Sequence, residues 1–312
     1  MKKDIVFLSH TRLFNPLEPE KKWSTVWEDV KFGVITEVDA HPTLLNKCTV
    51  FATKDEYHSM PVYLLLLREA VALNPAAIVM PFTPASGKYE DELIEILKTY
   101  KGVIIAVTAG PSEKAQKELP NLRGFVGPDE GEMGRLAAAI LSDHKAKHVI
   151  IPSDKPDHAG YLERIKAITE VAAIHGVESV KVIPFVVDDD KTFDFEPEED
   201  TIIIGLGPMG TKFALRAKKN YPDRVVGIST MDMSDETKEA IKMNVLYAVI
   251  QNPKEQGAKA VRMAIDILEG KTSVSYREIF CRAKIVSTLL VLLSMPNTIL
   301  KTHCKCNVSR RL

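Results

Sequence analysis

The sequence is poor in cysteine, in aromatic residues and in net charge, and each shortage closes off a class of protein. Four cysteines, Cys48, Cys281, Cys304 and Cys306, stand in 312 residues. That is too sparse for a disulfide framework. His303-Cys304-Lys305-Cys306 is either half of a soft-metal ligand set or a frayed tail with exposed thiols. A zinc site takes four ligands, usually with wider spacing inside each pair, so no metal is expected. Lys and Arg number 41 against 42 Asp and Glu, a formal net charge of -1. This balance argues against a sequence-independent nucleic-acid binder and against a polybasic membrane-surface protein. No apolar run approaches the ~18–20 residues of a membrane span; Leu289–Leu293 with its flanks falls well short. Met1-Lys2-Lys3-Asp4 is followed by the short apolar run Ile5–Leu8, less than a secretory leader needs. The chain is therefore expected to be cytoplasmic, or periplasmic or extracellular with a leader missing.

What is present is an alternation. Hydrophobic residues make up 45% and charged residues 27%, which excludes disorder as the main state. Short runs rich in Val and Ile recur at Ile5–Leu8, Ala77–Met80, Val103–Val107, His148–Ile151, Val180–Phe185, Thr201–Ile204, Arg224–Ile228 and Leu246–Ile250. Such runs read as strands buried on both faces of a parallel sheet. Between them, Pro61–Ala72, Tyr89–Tyr100, Gly131–Leu141, Tyr161–Ile174, Met209–Asn220 and Glu255–Leu268 carry apolar residues at helical spacing. Strand and helix in turn mean βαβ units and an α/β fold, with helices on both sheet faces. The units fall into two sets, one ending near Phe125 and one running from Asp129 to Ile250, with Gly124, Gly127 and Pro128 at the junction. The acidic run Val187–Asp200 reads as a solvated loop. In such folds ligands bind beyond the carboxyl ends of the strands, so two facing lobes define a cleft.

Gly205-Leu206-Gly207-Pro208-Met209-Gly210 matches the dinucleotide fingerprint, after an apolar strand and before a helix, and Asp232 lies near the position of a ribose-binding acid. An NAD(P)-dependent oxidoreductase is therefore one reading. The motif, however, comes late in the chain rather than on the first strand of its domain, and no hydride-transfer site accompanies it. The other reading is a glycine-rich turn lining a cleft, able to meet an anion through its backbone N–H groups.

Several short segments occur in a familiar order. They are Gly124-Phe125-Val126-Gly127-Pro128-Asp129 with Gly134-Arg135-Leu136-Ala137-Ala138, then Arg164-Ile165-Lys166-Ala167-Ile168, then Arg224-Val225-Val226-Gly227-Ile228-Ser229. Val249-Ile250-Gln251-Asn252-Pro253 with Gly257 and Ala260-Val261, and Leu268-Glu269-Gly270-Lys271, complete the series. From about Ala76 to Lys284 the chain resembles the type I periplasmic binding proteins, in the ribose- and galactose-binding branch. The resemblance implies two Rossmann-like lobes with parallel sheets joined by a three-strand hinge, the third crossover near Thr272–Tyr276. Residues 1–126 with 252–274 would form the N-terminal lobe, 127–251 with 275–288 the C-terminal lobe, and 289–312 an unassigned tail. It implies a non-catalytic protein that closes on a small ligand, usually a monosaccharide, by hinge bending. The partner would be a membrane permease or a receptor, with no nucleic acid, no membrane insertion and no cofactor.

By the same resemblance Arg164 falls where the family has a sugar-binding arginine, the other reading being an exposed arginine at a helix start. Gln251 falls on a hinge position that bonds the sugar, and Asp129 on a hinge aspartate. Ser9, His10 and Phe14 follow the first strand, where the family places aromatic and polar contacts. Phe14, Trp23 and Trp27 are candidates to stack on a ligand, although the spacing of Trp23 and Trp27 favours one helix face packed on the core. The chain departs from the family in its acids. It has Leu206-Gly207 for Asn-Asp, Ser229 for a strand-ending Asp, and Pro84 and Thr108 where acids are expected. Carboxylates are the usual bidentate acceptors of sugar hydroxyls. Hydroxyls of Thr83, Ser86, Thr108, Ser229 and Thr230 stand instead, beside Arg164 and the turn at Gly207. That set suits a less hydroxylated or partly anionic ligand. The effector-binding core of a lactose-repressor-type regulator is the alternative; it would call for a helical headpiece ahead of the first strand.

Overall fold

A computed structural model describes residues 2–11, 13, 25–53, 59–82, 88–154, 159–185, 195–232, 237, 241, 247–272 and 275–286. Phe14, Trp23, Thr83, Pro84, Ser86 and the 289–312 tail with Cys304 and Cys306 lie outside the described residues. The chain divides into two compact units. The first holds Met1–Glu130, His158–Gly160 and Gln251–Ala283; the second holds Gly131–Asp157, Tyr161–Ile250 and Lys284–Leu312.

In the first unit six strands form one sheet. They are β1 (Ile5–Ser9), β2 (Thr49–Ala52), β3 (Ala77–Met80), β4 (Val103–Val107), β5 (Leu122–Pro128) and β11 (Arg277–Cys281). Their order is β11-β5-β4-β3-β1-β2, and every pairing is parallel. Alternation along each strand splits the core in two. Val6, Leu8, Ile78, Met80, Ile104 and Ala106 face helices α2 (Met60–Ala72), α3 (Lys88–Lys98) and α4 (Glu113–Glu118). Ile5, Phe7, Ala77, Val79, Ile105 and Val107 face α1 (Thr25–Asp39) and the helix Pro253–Leu268, named α8 here. Trp27 belongs to this second core at 6% exposure, so the core-packing reading holds for it. Helices α1 and α8 press together through Gly33 and Gly257. A methyl group on Gly257 would overlap the Val30 carbonyl oxygen and meet the Val34 backbone nitrogen at 3.0 Å.

The second unit repeats the plan with β6 (His148–Ser153), β7 (Ser179–Pro184), β8 (Thr201–Gly205), β9 (Val225–Met231), β10 (Tyr247–Ile250) and β12 (Lys284–Val286). The order is β12-β10-β9-β8-β6-β7, parallel except for the antiparallel edge β12. On one face Ile150, Ile203, Val225 and Ile228 pack on Phe213, Ala214 and Ala217 of α7 (Pro208–Asn220). On the other lie α5 (Glu130–Ala138), a 3-10 turn at Ala139–Ser142 and α6 (Ala159–Ile174). There Gly227 neighbours Ile140 and Ile202, and Gly134 abuts the Arg164 backbone.

The return of the chain from the first unit to the second falls at Ala283/Lys284, later than the expected crossover near Thr272–Tyr276. The physical reason is β11, which pairs with β5 from Arg277↔Gly124 to Cys281↔Pro128. As an edge strand it leaves Arg277, Glu278 and Phe280 exposed, so it lacks the apolar run that marks the inner strands. The acidic segment, described from Phe195, borders β8 and is tied down by Glu198 on Lys181 at 2.6 Å and Glu196 on Arg224 at 2.7 Å.

Candidate functional site

Each unit collects polar side chains at the carboxyl end of its own sheet. In the first unit Ser9 closes β1, and its hydroxyl donates to the Thr11 carbonyl at 3.1 Å. His10 follows, 4% exposed, with its ring 4.6 Å from Trp27 and 6.2 Å from Tyr63, both edge-on. Tyr63 is anchored by donating to the Pro81 carbonyl at 2.7 Å. The aromatic rings thus set the His10 plane. At the end of β4, Thr108 holds a left-handed backbone, φ 64°, which a β-branched residue rarely adopts. Its N–H donates to Val126 O at 2.8 Å, and its Oγ1 donates to Gln256 Oε1 at 2.8 Å. Gln256 in turn donates from Nε2 to Gln251 Oε1 at 3.1 Å. Thr108, Gln256 and Gln251 therefore form one chain of hydrogen bonds, and Gln251 stands where the chain enters this unit. Asp129 is half-buried between β5 and α5.

In the second unit the geometry turns on Arg164. It is 5% exposed, which removes the reading of an exposed helix-start arginine. From α6 its Nη1 donates to the Leu206 carbonyl at 2.6 Å, and its guanidinium carbon lies 5.5 Å from the Tyr161 ring centroid. Gly207 sits against the same tyrosine: a Cβ there would fall 2.5 Å from Tyr161 Oη. The glycine fingerprint has a packing role of its own. A side chain on Gly205 would strike the backbone of Gly210 and Thr211 at 2.7 and 2.8 Å, so the glycines allow α7 to rest on the end of β8. Gly207 is the N-cap of α7, with no side-chain cap and no acid in the first turn, and its carbonyl accepts from Thr211 Oγ1 at 3.0 Å.

Around this corner lie three fully buried hydroxyls, Ser153, Ser229 and Thr230. None has a hydrogen-bond partner among the described residues. Buried polar groups are normally paired, so these three are open to a ligand or water. Register places them. Thr230 lies beside Gly205 and so on the α7 face, whereas Ser229 lies beside Ile204 on the opposite face. Ile150 pairs with Ile203, so Ser153, three residues on, shares the Ser229 face, that of α6 and Arg164. Ser153 and Thr230 complement Ser229; Ser153 was not among the expected residues, and its signal is its place as the last residue of an inner strand. Asp232 follows β9 with φ 68°. It is 8% exposed, and its N–H donates to Val249 O at 2.8 Å. An acid is thus present at this sheet end, three residues beyond Ser229.

Among the described residues no cluster of three or more His, Cys, Asp or Glu is placed to hold a metal, and no helix is long and apolar enough to cross a membrane.

Each of the two α/β units thus carries buried polar groups at the carboxyl ends of parallel strands, the place where such folds bind ligands. Residues 90–272 match the model of the periplasmic binding protein domain, and the chain belongs to that family. No curated protein sequence matches it. Among solved structures it is similar to GanP, a glucose-galactose binding protein from Geobacillus stearothermophilus, with TM-score 0.69 and 15% identity, covering 93% of this chain and 98% of that one. It is similar to a carbohydrate transporter solute binding protein from Agrobacterium radiobacter in complex with D-arabinose, with TM-score 0.67 and 17% identity, covering 96% and 98%. A putative LacI transcriptional regulator from Bacteroides fragilis matches with TM-score 0.67 at 12% identity, covering 95% and 100%.

Proposed function

We propose that the protein binds a sugar or sugar-like solute without transforming it, closes on it by hinge bending, and hands it to a permease or reports it to a receptor outside the cytoplasm. One observation carries this reading. Each sheet ends in a largely buried polar set: Gln251 with Gln256 and the half-buried Thr108 in one unit, Arg164 with Ser153 and Ser229 in the other. A guanidinium supplies a planar fork of donors for ring and hydroxyl oxygens, and a carboxamide supplies both a donor and an acceptor. Ser9, His10, Ser229 and the turn at Gly207 complete the proposed contacts, with Asp129 and Gln251 at the hinge. Sugar specificity is supported by the solutes named for the similar structures. Arg164 in the same unit as the unpartnered hydroxyls of Ser153 and Ser229 also favours a solute carrying an anionic group.

The test is a thermal-shift screen of D-arabinose, D-glucose, D-galactose, sugar acids, sugar phosphates and nicotinamide dinucleotides. A true solute at a hundredfold excess over its dissociation constant stabilises by about 2.7 kcal/mol. Replacement of Gln251 or Arg164 by Ala should weaken its binding at least tenfold, and scattering should show a smaller particle with solute. A response to dinucleotides alone, or turnover of the bound compound, would refute the reading.

A further inference from the structure

A helix on the outside of a domain normally turns polar residues to water. In the first unit α3 does so, exposing Asp91, Glu92, Glu95 and Lys98. Its neighbour α2 does not. It reads Met-Pro-Val-Tyr-Leu-Leu-Leu-Leu-Arg-Glu-Ala-Val-Ala, so Arg68 and Glu69 are its only charged groups. Tyr63, Leu64, Leu67 and Ala70 are buried in the core. The outer face carries Leu65, 57% exposed, then Arg68, Glu69 and Ala72, with Leu73 at the C-cap, also 57% exposed. Leu65, the Arg68-Glu69 pair and Ala72 follow one another at three- or four-residue steps, so they form one stripe two turns long. Beside Ala72 a cleft of about 280 Å³ opens between α2 and α3. Val71, Ala72, Ile96 and Thr99 line it, together with the Arg68–Glu92 ion pair of 2.8 Å.

We propose that this stripe is the contact surface between two copies of the chain, with their α2 helices antiparallel about a two-fold axis that passes between Arg68 and Glu69. A two-fold contact must be self-complementary, and the stripe is so about that axis. Reversing one helix sets Leu65 opposite Ala72 and Arg68 opposite Glu69. Each guanidinium then faces a carboxylate of the other copy, with donors to spare beyond its bond to Glu92. Each Leu65 lies over the small side chain of Ala72, which lets the helices approach, and enters the cleft of the other copy beside Leu73. A parallel pairing would set Arg68 against Arg68 and Glu69 against Glu69 and leave the cleft unfilled. Ala72 and Thr99 lead into the starts of β3 and β4. The contact therefore lies at the end of the sheet away from Thr108 and leaves the carboxyl strand ends open. One helix face with its cleft is a small interface, so a weak dimer, dissociating in the micromolar range, is expected.

The test is sedimentation equilibrium of the full chain without solute, from micromolar to near-millimolar concentration. A monomer–dimer equilibrium is expected. Leu65→Glu would bury an unpaired charge against Ala72 and should weaken it at least about tenfold. Arg68→Glu and Glu69→Arg each set like charges across the axis and should weaken it similarly. An equal mixture of these two variants should dimerise again, because every glutamate then faces an arginine. All three positions are exposed, so circular dichroism should show the parent fold; where Leu65→Glu fails to fold, the charge variants carry the test. A chain monomeric at every concentration overturns the proposal. So does a dimer untouched by these substitutions, which would use another face. A dimer weakened by the charge variants but not restored in their mixture overturns the antiparallel pairing. A monomer that co-sediments with phosphatidylcholine vesicles, and loses this in Leu65→Glu, would assign the stripe to a lipid surface and overturn the proposal as well.

Discussion

Replacing Arg164 by Met tests the corner at the end of β8. Met keeps the length and apolar stem of the side chain and deletes its donors. The bond from Nη1 to Leu206 O, at 2.6 Å, is lost, and Leu206 is fully buried, so its carbonyl is left without that partner. A hydrogen bond involving a charged group contributes about 1.5–3 kcal/mol. The guanidinium also loses its contact with the Tyr161 ring, worth about 0.5–1 kcal/mol. The expected loss of stability is therefore about 2–4 kcal/mol. Arg164→Lys retains the charge without the fork and should lose about half as much. Urea titration followed by circular dichroism measures both, with the midpoint moving and the slope constant. A Met variant as stable as the parent would refute the anchoring of the β8 corner. Full stability with abolished solute binding would assign Arg164 to the solute alone.

Three further outcomes follow from the geometry. Gly257→Ala should destabilise by about 1–3 kcal/mol, as overpacking does, because the added methyl meets backbone of α1 and cannot be accommodated by a side-chain rotation. At an uncrowded helix position the same change would stabilise by about 1 kcal/mol, so the sign measured by chemical denaturation decides. Tyr63→Phe removes the donor to Pro81 O and should cost about 1–2 kcal/mol while also loosening His10; a neutral result would sink the role of Tyr63 as an anchor. The Cys48 thiol is pushed up to about 12, chiefly by burial. The reactive thiolate is therefore scarce in the folded protein at pH 8, and its fraction rises with pH until the thiol titrates. Alkylation of Cys48 at pH 8, read by peptide mapping, should be slower folded than unfolded, and equal rates would contradict the raised pKa of this half-buried thiol.

Most inner strands were legible in the sequence because a parallel sheet covered on both faces demands unbroken Val- and Ile-rich runs, as in Thr201–Gly205, where all five residues are buried; the inner strand Leu122–Pro128, broken by Arg123, Gly124 and Gly127, stood out only by resemblance. Of the edge strands, only Ser179–Pro184 was legible, as the run Val180–Phe185. Thr49–Ala52 and Arg277–Cys281 keep one side in solvent, and α4, a six-residue helix reading Glu-Lys-Ala-Gln-Lys-Glu, is too short to show a stripe. Gln251 and Arg164 stood out only by resemblance. Gln256 carried a signal that went unused, its four-residue spacing from Ala260.

Hydrophobic order along the chain was enough by itself to determine two α/β units with parallel sheets and the carboxyl strand ends as the place for polar contacts. That follows because period and run length report burial directly. Only the tertiary structure decided that Arg164 is buried on the Leu206 carbonyl, that the glycines at 205–210 serve close packing of α7 on β8, and that Thr108, Gln256 and Gln251 join in one chain. Hydrogen bonds between residues as far apart as Thr108 and Gln256 depend on which strand ends meet which helix, and no local pattern of residues encodes that.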